Sequence, residues 1–125
     1  LAIEAENQGA FGVVVNAPIS DEVISRIKQV VDIPVIATIV SERMDIRSRM
    51  EAGADFLNVS GAAATPQIVR SIRAQFPDVP ILATGGPNDE TILKTIRAGA
   101  NAITYSPPSN GELFADIMQK YRGKL

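Results

Sequence analysis

The segment Asp32-Ile33-Pro34-Val35-Ile36-Ala37-Thr38 returns 46 residues later as Asp78-Val79-Pro80-Ile81-Leu82-Ala83-Thr84. Each copy reaches a proline at its third position and continues as a short run that is apolar at successive positions, so both of its faces are apolar. Such runs belong to parallel sheets covered by helices, because a strand exposed on one side would alternate apolar with polar. Proline lacks an N–H and is tolerated as the first residue of a strand. The same spacing separates Ala52-Gly53-Ala54-Asp55 from Ala98-Gly99-Ala100-Asn101, and Gln8-Gly9-Ala10-Phe11 has the same form. In each, the glycine closes a helix in a left-handed conformation and the next residues open a strand. A repeat of this length holds two βα units. Any βα protein needs punctuation, but near-identity of both the segment and its spacing points to an internal duplication.

Working outward, five strands are expected: Gly12–Asn16, Pro34–Ile39, Phe56–Ser60, Pro80–Thr84 and Asn101–Tyr105. Between them Asp21–Val31, Met44–Ala52, Pro66–Phe76 and Glu90–Ala98 carry apolar residues at helical spacing, and a last helix is expected from Glu112 to Tyr121. In the first of these, Val23, Ile24, Ile27, Val30 and Val31 form one stripe, with Arg26, Lys28 and Gln29 opposite. Ser20, Thr65 and Asn88 are expected as N-caps, with Pro66 in a first helical turn. The fold class is α/β, a single domain over residues 1–125 built of parallel βα units. Leu1 to Gln8 read as the middle of an amphipathic helix, so the natural chain is expected to begin further upstream.

Composition narrows the chemistry. The 125 residues are 46% hydrophobic and 21% charged, within the ordinary globular range, and the net charge is -2. No basic field is available to draw nucleic acid or an anionic membrane. There is no cysteine and no histidine, which removes disulfides, thiolate nucleophiles and the commonest general base and metal ligand. No metal site and no cofactor are expected. No apolar run approaches the length of a membrane span, and a cytoplasmic protein is the default.

Ile81-Leu82-Ala83-Thr84-Gly85-Gly86-Pro87, followed by Ala98-Gly99-Ala100-Asn101-Ala102-Ile103, resembles the last two strands of the ribulose-phosphate-binding TIM barrels. That superfamily includes phosphosugar epimerases, thiamine phosphate synthase, indole-glycerol-phosphate enzymes and keto-deoxy-phosphogluconate aldolases. The resemblance spans the chain by pattern, with its five units standing where strands four to eight would stand. Eight strands close such a barrel. Five imply a partial barrel completed by another chain, as in a homo-oligomer, or an open sheet like flavodoxin's.

The resemblance further implies a phosphate grip made by the loops after the last two strands. In the first loop, Gly85 and Gly86 let the backbone approach an anion at a helix N-terminus. Alternatively, they merely permit a tight turn capped by Asn88, and Asp89 and Glu90 there would repel an anion. In the second, Ser106, Ser109, Asn110 and Gly111 are the candidate donors, since Pro107 and Pro108 have no N–H; Ser109 or Asn110 capping the last helix is the plainer reading. Among polar residues at strand ends, Asn58 and Glu42 are the candidate catalytic groups. Asn58 is polar within an apolar strand and needs a partner or a task, whereas most loop carboxylates are simply solvated. Aldolases of the family form a Schiff base with a strand lysine, but Lys28, Lys94, Lys120 and Lys124 fall on helices or the tail. The expected function is the phosphate-binding half of a TIM-barrel enzyme acting on a small phosphorylated metabolite, as an epimerase, synthase or lyase. The alternative is a non-catalytic α/β binding or interaction module.

Overall fold

A computed structural model describes residues 1–86, 88–105 and 110–123. The elements alternate throughout: α1 (Ala2–Asn7), β1 (Val13–Val15), α2 (Asp21–Val30), β2 (Val35–Ile39), α3 (Ile46–Ala52), β3 (Phe56–Val59), a 3-10 turn (Ala62–Ala64), α4 (Thr65–Gln75), β4 (Ile81–Thr84), α5 (Asp89–Ala98), β5 (Ala102–Thr104) and α6 (Asn110–Arg122). The five strands form one parallel sheet in the order β1-β2-β3-β4-β5. Each strand therefore lies beside its sequence neighbour, as in a TIM barrel. A flavodoxin-like sheet has the order 2-1-3-4-5, so the open-sheet alternative is corrected by the strand order.

The duplicated prolines stand just before two interior strands. Pro34 and Pro80 cannot donate, but their carbonyls accept from Val13 N–H at 2.9 Å and Leu57 N–H at 3.1 Å. The ladder thus loses nothing at these positions. Gly9, Gly53 and Gly99 all have positive φ, with +122° at the last two.

One face of the sheet carries the core. Val15, Val35, Ala37, Ile39, Leu57, Val59, Ile81 and Ala83 are buried with Ile24, Ile46, Ile68, Val69 and Ile72 from the helices. In-register partners on the other face are Val14, Ile36 and Phe56, then Thr38, Asn58, Leu82 and Ala102, then Thr84 and Thr104. That face lies outside the helix-packed core, and Val14, Ala102 and Thr104 are exposed on it. In a closed barrel it would be the interior.

Three expectations change. In α2, Val23 and Val30 are exposed, because only Ile24, Ile27 and Val31 turn to the sheet. Lys28, placed opposite the apolar stripe, reaches across to bridge to Asp55. Thr65 is not an N-cap; it lies inside α4, where its buried hydroxyl accepts from Gly61 N–H at 2.9 Å. Ser20 and Asn88 do cap α2 and α5, and Asp45 caps α3. Among the described residues, no helix is long and apolar enough to cross a membrane.

Candidate functional site

Parallel strands of this kind keep their ligand sites at their C-terminal ends, and here those ends carry hydroxyls and one amide. Asn58 Nδ2 donates to Thr38 Oγ1 at 3.4 Å across the β2–β3 pair, and Thr84 Oγ1 donates to Ser60 Oγ at 3.3 Å. Asn58 thus finds a side-chain partner rather than the neighbouring backbone. These bonds are long, and all four residues except Thr38 are only partly buried. No ionisable side chain occurs among the described residues on this face of the five strands. The face can orient hydroxyl or carbonyl groups but holds no general acid or base.

Glu42 is elsewhere. It is exposed in the loop after β2 and lines a cleft of about 330 Å³ between α3 and α4 with Asp45, Arg47, Gln75 and Phe76. The two candidate catalytic residues are therefore not brought together: Asn58 faces the uncovered side of the sheet, Glu42 the helix layer. Arg47 in that cleft lies over the Phe76 ring, 5.2 Å from its centroid.

The glycine turn after β4 divides its work. Gly85 is buried, and a Cβ there would collide with Ile103 Cγ2 and come to 2.8 Å from Ile92 Cγ1. Its N–H donates to Thr104 carbonyl oxygen at 2.8 Å, so the amide is committed to the sheet. Gly86 has φ +84° and is exposed, and no described residue accepts from its N–H. Asn88 Oδ1 accepts from Thr91 N–H at 2.9 Å while Thr91 Oγ1 accepts from Asn88 N–H at 3.3 Å, a reciprocal cap that fixes the start of α5.

Gly85 and Gly86 line a cleft of about 540 Å³ whose other walls are the 3-10 turn and the start of α4 on one side and α5 on the other. Lys94, expected only to fall on a helix or the tail, is one of its lining residues. Thr91, Lys94 and Thr95 share a helix face by their i, i+3 and i+4 spacing, the one available signal. Of the second expected loop, Ser106 and Ser109 lie outside the described residues. Asn110 and Gly111 are the exposed first residues of α6.

No protein-family model matches the sequence, and no curated protein matches it. Solved structures do. The native KDPGal structure is 24% identical with a TM-score of 0.65 over 84% of this chain and 50% of that one. A phosphonomutase candidate from Burkholderia cenocepacia is 18% identical with a TM-score of 0.65 over 98% and 59%. A mandelate oxidase variant bound to (S)-mandelic acid is 18% identical with a TM-score of 0.64 over 83% and 44%. The chain spans about half the length of the structures it matches. With the sequential parallel order, these likenesses establish the fold as part of a TIM barrel.

Proposed function

We propose that this chain is the phosphate-binding part of a TIM-barrel enzyme acting on a small phosphorylated metabolite. The observation that carries the reading is Gly86: at the C-terminal end of a barrel strand it offers an exposed N–H without a described acceptor. It lines a cleft of metabolite size, and an amide so placed suits a phosphate oxygen. Acid–base residues then come from strands beyond these five. Calorimetric titration of the protein with glycerol 3-phosphate, against glycerol, tests this. Binding of the ester alone, weakened by Gly86→Asp in a protein with unchanged circular dichroism, is expected; equal heats for ester and alcohol would sink the proposal.

A second reading, a binding module without chemistry, is favoured by one observation: the described strand residues on the uncovered face include no ionisable group. Under it the same ester binds and no turnover follows even when the full-length protein is assayed.

A further inference from the structure

We infer that the phosphate of the proposed ligand sits in the cleft between α4 and α5, with Lys94 as its counter-ion. This rests on the phosphate reading above and adds the counter-ion to it. The cleft is lined by Ala62, Ala63, Thr65 and Pro66 on one wall and by Thr91, Lys94 and Thr95 on the other, with Thr84, Gly85 and Gly86 as its floor.

Three observations converge on it. Lys94 is exposed along α5 and makes no ion pair or hydrogen bond with any described residue, although Glu90 lies one turn before it. Every other described lysine, Lys28 and Lys120, is paired. Thr65 is 1% exposed and stands at the cleft wall; its hydroxyl accepts from Gly61 N–H, and its own proton is given to no described residue. Ala62, on the same wall, has φ +53°, a left-handed conformation that an alanine adopts at a cost. Strain of this kind collects where a ligand is clamped.

The chemical class follows from the lining. Lys94 and the Gly86 N–H supply a cation and a donor for a phosphate, and the Thr65 hydroxyl a second donor. Ala62, Ala63 and Pro66 offer an apolar wall to the rest of the molecule, so a small phosphomonoester with a carbon body fits better than inorganic phosphate. The seat at Gly85 is then explained without an anion contact, its N–H being spent on Thr104.

The test is glycerol 3-phosphate titration of the unaltered protein, Lys94→Met, Lys94→Arg and the control Lys120→Met. Loss of a charge-assisted contact lowers affinity on the order of tenfold or more. Lys94→Met is expected to show that loss together with a flatter dependence on added salt. Lys94→Arg should retain most of the binding, and Lys120→Met all of it. Wild-type affinity in Lys94→Met would overturn the inference and leave the phosphate reading intact. Absence of binding to the unaltered protein would overturn both. Lys94 is exposed, so the variants should fold, and thermal melts check that they do.

Discussion

Asp55 and Asn101 hold the same place in the two halves of the sheet. Asp55 Oδ2 accepts from Val35 N–H at 2.9 Å, and Asn101 Oδ1 accepts from Ile81 N–H at 2.9 Å. In both cases the amide belongs to the residue after the strand-opening proline. In both a cation from the preceding helix reaches the same oxygen: Lys28 Nζ at 2.6 Å for Asp55, an Arg73 guanidinium nitrogen at 2.8 Å for Asn101. Those cations also pack over Gly53 and Gly99. The sequence repeat is thus a repeated structural clamp at the N-terminal edge of the sheet, away from the proposed site.

Replacing Asp55 separates the clamp's parts. Asp55→Asn keeps an acceptor for Val35 and loses only the half-exposed ion pair with Lys28, so it should cost well under about 1 kcal/mol. Asp55→Ala leaves the Val35 N–H without its partner and should cost about 1–3 kcal/mol. Urea unfolding of the two variants checks this, and equal losses would mean that the backbone contact contributes nothing.

Acid should weaken the same clamp. Burial pushes the Asp55 carboxyl up, but the hydrogen bonds from Lys28 and Val35 and the Lys28 charge together outweigh it and hold the group below its ordinary value. A carboxyl depressed by folding stabilises fully above its unfolded value of about 3.9 and loses that contribution as pH falls through the folded value. The stability gap between the unaltered protein and Asp55→Asn should therefore be constant near neutrality and close below about pH 4. A gap that stays constant as pH falls through and below about 4 would refute the assignment.

Glycine substitutions should sort by backbone and space. Gly99→Ala forces a side chain into φ +122° and brings its Cβ to 2.9 Å from Arg73 Cγ. Arg73 in turn donates to the carbonyls of Val79 at 2.7 Å and Gly99 at 2.8 Å. A loss of about 1–2 kcal/mol or more is expected. Gly85→Ala should cost about 1–3 kcal/mol by overpacking against Ile103 and Ile92. At Gly111 a Cβ meets nothing within 4 Å in α6, so alanine there should be neutral or gain up to about 1 kcal/mol. Thermal melts of the three give the ranking, and Gly111→Ala falling below Gly99→Ala would contradict it.

The sequence by itself determined the local elements of this protein. Runs apolar on both faces specified parallel strands, helical spacing specified α2 to α5, and Gly53 and Gly99 marked helix ends, because period and backbone preference are local properties. Strand boundaries moved inward by one residue at one end or both, where pairing rather than propensity decides. What the sequence left open, tertiary structure decided. The order β1-β2-β3-β4-β5 chose the barrel over the flavodoxin arrangement, since periodicity says which face is buried and not which strand lies next to which. Register set Asn58 beside Thr38, twenty residues earlier, and sent Glu42 to the opposite layer. Packing of α5 against α4 put Lys94, an ordinary helix lysine by its spacing, in the wall of a cleft that Gly86 also lines. Such side chains meet through long-range contacts that no local pattern records.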